Sequence, residues 1–363
     1  MKNVCFFNSV RFWGGGEKLH LEYALAFEKK GYNVILASDK KAPLYGKGGE
    51  HGLRLHHIEV GNLSFLNPFK TAKLIRFFQK EEIDTVIVSS SQDVKFGGFA
   101  AKRAGVIKIV YLRGLATAIK GGKINGKLFR DVLTDVVANS EETKRGILRN
   151  LSSWIPESRV AVIYHGIQLS DFESKPGDLL PEIAEQGQGL ILGNAGRLTA
   201  QKGQKHLIDV AKKLKQNGVD FTLFIAGTGE LEQDLRQAII SNQLENEVKL
   251  LGFVEDVDLF MNSLDVFLLT SIWEGFGYVT VEAMAKSKPV IAFDITSNPE
   301  IIEDGKTGVL IPPTDTTKFS EEIIKFHKDP ALRQHMGEAG RKRLEERFQL
   351  EDRINELIDY LEG

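Results

Sequence analysis

Four charged residues in the second half of this 363-residue chain have the types and spacing to hold a phosphorylated, hydroxyl-rich ligand: Arg197, Lys202, Glu274 and Glu282. Arg197 and Lys202 sit in a loop, Gly196 to Gly203, directly after a strand-like run. A guanidinium forks onto two phosphate oxygens, and an ammonium five residues on adds a point charge. The carboxyl end of a strand is where open α/β sheets bind ligands. An ordinary solvated basic loop is the plainer reading of the same residues. Glu274 opens the run Glu274-Gly275-Phe276-Gly277, and Glu282 lies about two helical turns on. Glycines ahead of a helix let free backbone N–H groups face a phosphate or a sugar hydroxyl. A carboxylate accepts two hydroxyl hydrogens, as a ribose diol or a sugar offers, although Glu282 can instead pair with Lys286 four residues on. Gly14-Gly15-Gly16 in the first half is a further anion-ready turn, or a simple strand–helix connection. It fits neither the dinucleotide fingerprint nor the phosphate-binding lysine loop.

Alternating elements must position these residues. In the first half, strand-like runs at residues 3–10, 32–38, 85–89, 107–112 and 136–139 are separated by helical stretches. A helix is expected from Glu17 to about Lys30, closed by Gly31, and a basic amphipathic one around Pro68–Lys80. The pattern restarts with strands at 189–195, 221–226, 248–250, 266–270, 290–293 and 309–311. Such alternation implies α/β domains with mostly parallel sheets covered on both faces. The Pro-, Gly- and acid-rich segment 174–188 reads as a linker. It divides an N-terminal domain, 1–173, from a C-terminal domain, 189–337, with an amphipathic helix in 338–363 long enough to return across the boundary.

In sum these segments resemble the family 4 retaining glycosyltransferases. The run from Glu274 to Glu282 with Ala283-Met284-Ala285 and Pro289-Val290-Ile291-Ala292 is similar to that family's E-x7-E region. Gly14–Glu17, Gly196–Gly203, Ala226-Gly227-Thr228-Gly229-Glu230, Leu251-Gly252-Phe253 and Pro299-Glu300-Ile301 through Gly305 and Gly308 match in the same order. The resemblance implies a GT-B fold, two Rossmann-like domains facing across a cleft, and a nucleotide diphosphate sugar donor, UDP ahead of GDP. On this chain Arg197 and Lys202 would neutralise the diphosphate and Glu282 would hold the ribose. Glu274 and the backbone of Phe276 and Gly277 would grip the sugar, with Gly227 and Tyr278 also among the donor contacts. Gly15 and Gly16 would approach the phosphates, and the amides beside Phe253 would read the base. Glu274, Arg197 and Lys202 are the residues carried over as catalytic. The acceptor implied is a lipid-linked or cell-envelope glycan such as lipopolysaccharide. A nucleotide-sugar 2-epimerase, a glycosyl phosphorylase and a catalytically silent nucleotide-sugar-binding module are the alternatives on the same architecture.

Three positions depart from that family. Arg113 stands where a histidine is frequent, and a guanidinium cannot accept a proton. It is left as an acceptor or phosphate contact or as part of the basic surface. His165 stands where asparagine is common, as a further contact or a polar residue steadying a turn; Ser287 replaces a frequent glycine, expected to be neutral. Asp256-Val257-Asp258 has the form of a metal-binding D-x-D, but acids also favour the helix start that follows. With positive side chains already available for the phosphates, no cofactor and no divalent metal are expected. His56 and His57 are adjacent and read as surface residues without ligand spacing.

Composition bounds the rest. The single cysteine, Cys5, lies in an apolar run and reads as a buried small hydrophobe in a reducing compartment. No signal peptide or span of about 20 apolar residues is seen, so a cytoplasmic location is expected. The net charge of −2 hides an asymmetry. Residues 1–170 carry 26 Lys and Arg against 15 Asp and Glu, and residues 171–363 carry 21 against 34. Between Val94 and Arg130 there are nine basic residues and no acid. Either the two halves attract each other, or the basic one faces an anionic partner, here a membrane surface and not nucleic acid.

Overall fold

The β-branched and aromatic runs form two separate parallel sheets, because each is apolar on both faces and helices cover both. A computed structural model describes residues 2–61 and 64–363. One unit comprises the chain up to His165 together with Glu351–Gly363, and the other is Gly166–Leu350.

The first unit holds β1 (Asn3–Asn8), β2 (Asn33–Ser38), β3 (Arg54–His57), β4 (Thr85–Val88), β5 (Lys108–Arg113), β6 (Asp135–Ala138) and β7 (Val160–Val162). They pair in parallel in the order β3-β2-β1-β4-β5-β6-β7. Successive residues of β1 serve opposite faces. Phe6 meets Phe27 of the helix Gly15–Lys29 edge-on at 5.5 Å, while Phe7 meets Phe96 at 6.5 Å. β3 and β7 are absent from the sequence reading. Both are short edge strands: three of the four residues of β3 are polar, and β7 is only three residues long. His56 is thus a strand residue, stacked on Phe77 at 3.6 Å, and not a free surface histidine. The helix expected from Glu17 begins at Gly15. The last helix, Leu350–Glu362, belongs to this unit. Glu362 accepts a hydrogen bond from Tyr32 (2.7 Å) and pairs with Lys2 (3.0 Å), and Tyr360 bonds Asp135 at 3.2 Å.

The acid-free stretch does not make one basic face. β5 passes through it with Tyr111 and Leu112 in the core, and Arg113 is 7% exposed. The exposed cations are divided between Lys102 and Arg103 before the strand and Lys120, Lys123, Lys127 and Arg130 after it.

The second unit holds β8 (Leu190–Ala195), β9 (Phe221–Ala226), β10 (Val248–Gly252), β11 (Val266–Leu269), β12 (Val290–Phe293) and β13 (Val309–Ile311), in the order β10-β9-β8-β11-β12-β13, all parallel. The segment read as a linker contains a helix, Pro181–Gln186, with Ile183 buried. Its start is fastened down as well. The Ser174 amide donates to Asp258 (2.7 Å), and the Lys286 ammonium bonds the Ser174 carbonyl (2.7 Å) and hydroxyl (2.8 Å) and pairs with Asp258 at 3.0 Å. Residues 338–363 are not one helix: Pro330–Arg347 ends at the buried Phe348, and Leu350–Glu362 follows. Ser287 holds φ +52°, a left-handed value that a glycine meets without strain, so this replacement is not conformationally neutral.

Candidate functional site

In each sheet one pair of neighbouring strands sends its chain away in opposite directions, and ligands of open α/β sheets bind beyond the carboxyl ends of that pair. In the second unit the pair is β8 and β11. Their following loops carry Arg197 and Lys202 on one side and Glu274 to Gly277 on the other. The two loops are laced together. The Ile272 amide donates to the Gln201 carbonyl at 2.7 Å, and Gln201 Nε2 donates to the Trp273 carbonyl at 3.2 Å. Gly203, at φ +64°, passes so close to the Thr270 carbonyl that a Cβ would collide with it.

The lacing brings Lys202 Nζ to 2.6 Å from Glu274 Oε1, both side chains largely buried. Ser271 Oγ donates to the same oxygen at 2.5 Å. Oε1 is therefore saturated, and Oε2 takes no hydrogen bond from the described residues. The Glu274 amide donates to Thr296 Oγ1 at 2.9 Å, and Ser297 Oγ to the Glu274 carbonyl at 3.5 Å. Thr296 itself is held at φ +41°, a costly value of the kind that persists where surroundings over-determine it. Gly277 follows at φ +80° in the N-cap position of the helix Tyr278–Ala285 and offers no side chain to cap it; its carbonyl accepts from the Thr280 amide at 2.9 Å. Thr280 Oγ1 and Asn298 Oδ1, both fully buried, flank Gly277 without a hydrogen-bond partner among the described residues.

The other residues singled out in this half lie at the same end of the sheet. Gly227 follows β9 at φ +135°, so close to the Gly196 carbonyl that no Cβ fits. Phe253 follows β10 and is 74% exposed. Arg197 is exposed, and Glu282 is buried in the helix Tyr278–Ala285, while Lys286 sends its ammonium to Ser174 and Asp258. The Phe276 ring is core, 5.7 Å from the rings of Tyr278 and Phe348.

In the first unit the diverging pair is β1 and β4. Gly15 and Gly16 are exposed at the start of the helix that follows β1. Arg113 ends β5 but turns inward, donating to Tyr111 Oη (3.0 Å), the Thr117 carbonyl (2.9 Å) and Thr117 Oγ1 (3.2 Å). It holds the loop that follows it. His165 is buried next to it, and burial pushes its imidazole down to about 3, with His20 nearby adding to the effect. Sequence reasoning missed Asp93. This fully buried carboxylate bridges the two diverging strands, accepting from the Ser9 amide (3.2 Å), the Ser90 amide (3.2 Å) and Ser89 Oγ (3.5 Å). Burial pushes it up to about 6 despite those donors. The signal was present as Ser90-x-x-Asp93, a capping box directly after a strand.

Two family models match the chain in tandem: Glycosyltransferase Family 4 over residues 13–171 and Glycosyl transferases group 1 over residues 179–343. The chain belongs to the family 4 type of glycosyltransferase. Among curated relatives, this glycosyltransferase is 29% identical to the capsular polysaccharide biosynthesis glycosyltransferase CapM of Staphylococcus aureus, over 80% of the chain and 81% of CapM. It is 26% identical to the UDP-Gal:alpha-D-GlcNAc-diphosphoundecaprenol alpha-1,3-galactosyltransferase of Escherichia coli, over 82% of the chain and 80% of that enzyme. Among solved structures it superposes on Anabaena HepE in complex with UDP and glucose with a TM-score of 0.86, at 22% identity and full coverage of both chains. The lipopolysaccharide outer core galactosyltransferase WaaB gives 0.76 at 20% identity, with 99% of each chain covered. The fold is GT-B, two Rossmann-like α/β domains.

The two aspartates of the D-x-D run have separate tasks in the glycosyltransferase. Asp256 caps the helix Val257–Asn262 by accepting from the Leu259 amide at 2.9 Å, and Asp258 serves Lys286 and Ser174. No group of three metal-ligating side chains occurs among the described residues, and no helix among them is long and apolar enough to cross a membrane.

Proposed function

We propose that the glycosyltransferase transfers a hexose from a UDP-sugar, with retention of anomeric configuration and without a divalent metal, to a lipid-linked or cell-envelope glycan. The observation that carries this reading is the anchored Glu274. One carboxylate oxygen is taken up by Lys202 and Ser271, and the other is open for a donor hydroxyl. Arg197, Lys202 and the helix start after Gly277 supply positive charge where the departing diphosphate becomes more negative, the largest single contribution in many such reactions. Glu282 would hold the ribose, and the amides beside Phe253 the base. The HepE complexes with UDP and UDP-glucose support the base, and the diphosphoundecaprenol in the E. coli relative's name supports a lipid-linked acceptor. Such an acceptor lies at a membrane surface, and peripheral contact of the first domain with an anionic cytoplasmic leaflet is part of the reading.

Thermal unfolding with a panel of nucleotides and nucleotide sugars tests the donor. Ligand at 100 times its Kd stabilises by about 2.7 kcal/mol. UDP and one UDP-hexose should raise Tm to the same extent with magnesium or with EDTA, while GDP should not. A magnesium-dependent shift would remove the metal-free mechanism, and a GDP preference the choice of base. Release of a donor epimer on incubation would mark an epimerase instead.

Ser271 has a role of its own in this scheme, because it orients the open oxygen. Ser271→Ala loses a hydrogen bond to a charged group, worth about 1.5–3 kcal/mol. Donor KM should rise roughly tenfold, and Ser271→Thr should recover most of it. Unchanged donor kinetics in Ser271→Ala would show that Lys202 alone orients the carboxylate.

A further inference from the structure

The proposed membrane contact does not have an obvious surface in the acid-free stretch Val94–Arg130, since β5 and the inward Arg113 divide it. A different segment of the same domain meets the physical requirements on one continuous surface. Between Glu59 and Glu81 the chain has no acid and four bases, Lys70, Lys73, Arg76 and Lys80. The same segment carries three exposed apolar side chains, Phe65 at 38%, Leu66 at 65% and Phe69 at 84%, the last being the most exposed large hydrophobic side chain among the described residues.

Helical geometry arranges these groups. Asn67 caps the helix Pro68–Lys80 by accepting from the Lys70 amide at 3.0 Å, and Pro68 occupies its first turn. At 3.6 residues per turn, Phe69, Lys73, Arg76 and Lys80 fall on one stripe, opposite Leu74 and Phe78, which are buried against the sheet. The outward stripe is therefore an apolar tip followed by a row of cations. Lys70 reaches Glu59 only at 3.5 Å across an exposed surface, and Lys73, Arg76 and Lys80 pair with no carboxylate among the described residues. A protein partner or a second copy would have to meet both the apolar tip and the unpaired cations. An anionic bilayer supplies both at once, acyl chains below and phosphates at headgroup depth. The remaining exposed apolar residues of this domain, such as Ile107, Leu115 and Ile124, are scattered along the sequence, as is ordinary for a soluble surface.

We infer that residues 64–80 are the membrane-docking element of this protein. Phe65, Leu66 and Phe69 enter the acyl boundary, and Lys73, Arg76 and Lys80 lie against anionic headgroups. The inference rests on the proposed membrane contact and names its surface.

The test uses the full chain and sucrose-loaded vesicles of phosphatidylcholine alone or mixed equally with phosphatidylglycerol, at low salt. The wild type should sediment with the anionic vesicles at least tenfold more strongly than with the neutral ones. The double variant Leu66→Ser/Phe69→Ser should lose at least tenfold of that binding. Lys120→Gln/Lys123→Gln/Lys127→Gln, in the other basic segment, should lose little. Phe69→Trp should show, relative to the wild type, an added emission that shifts to the blue only with anionic vesicles. All substituted side chains are exposed, so calorimetric UDP affinity and Tm should match the wild type and report on the donor site separately. Wild-type protein that ignores anionic vesicles would end the membrane reading itself. Vesicle binding that survives Leu66→Ser/Phe69→Ser, or an added emission from Phe69→Trp that stays unshifted in vesicle-bound protein, would overturn the docking element alone. A dimer in solution that dissociates in Leu66→Ser/Phe69→Ser would assign the surface to a second copy and overturn it too.

Discussion

Glu274→Ala is expected to lower sugar transfer by roughly 10²–10³-fold or more and also to destabilise the protein. The first effect follows from the open Oε2, because a preorganised group lost from a water-poor site costs about that factor. The second follows from what remains behind. Lys202 and Glu274 retain side-chain exposures of only 17% and 6%, so removal of one leaves the other buried and uncompensated. Breaking such a pair costs about 3–5 kcal/mol. Replacing both partners with apolar groups of similar size is commonly close to neutral. Lys202→Met/Glu274→Leu should therefore unfold at a denaturant midpoint nearer the wild type than either single substitution does, while remaining inactive. Denaturant unfolding and donor turnover of the wild type, Glu274→Ala, Lys202→Met, Glu274→Leu and the double variant separate the two effects. Transfer by Glu274→Ala within tenfold of the wild type would remove Glu274 from the chemistry. Strict additivity of the two stability losses would show that the pair is not a buried unit.

That pair also shows how far the sequence reading reaches. The sequence offers Arg197, Lys202 and Glu274 as candidate ligand groups because they lie in loops after strands, and Glu282 because it completes a family pattern with them. The shared oxygen of Lys202 and Ser271 was not legible, since Lys202 and Glu274 are 72 positions apart and become neighbours only through the pairing of β8 with β11. The central strands were read to within a residue or two, because full burial writes continuous apolar runs. β3 and β7, at the sheet edges, are only four and three residues long, and β3 carries one apolar residue, so neither left so clear a trace. Charge was legible as a sum but not as a surface. The nine cations after Val94 looked like one patch until a core strand was threaded through them, and Arg113 spends its guanidinium on Tyr111 and Thr117. Asp93 was not singled out, and what marks it is a contact 84 positions away in sequence, with the Ser9 amide just past the end of β1.

Gly203→Ala should destabilise the protein by about 2–5 kcal/mol and weaken UDP binding at least tenfold. Gly218→Ala should cost only about 1–2 kcal/mol and leave binding untouched. The two glycines have nearly the same backbone, φ +64° and φ +69°, so the left-handed penalty of about 1–2 kcal/mol for a residue with a Cβ is common to both. Their surroundings differ. A Cβ on Gly218 has nothing within 4 Å, whereas one on Gly203 meets the Thr270 carbonyl oxygen, which is backbone and cannot rotate away. Overpacking adds about 1–3 kcal/mol. Relief would separate the loop after β8 from the loop after β11, and with it Lys202 from Glu274, because Lys202 is the adjacent residue. The difference between the two alanine variants, in denaturant midpoint and in calorimetric UDP affinity, therefore measures how much the donor site depends on the contact between these loops. Equal stability losses, or Gly203→Ala with wild-type affinity, would mean that the loops tolerate separation and that the ion pair holds the site without them.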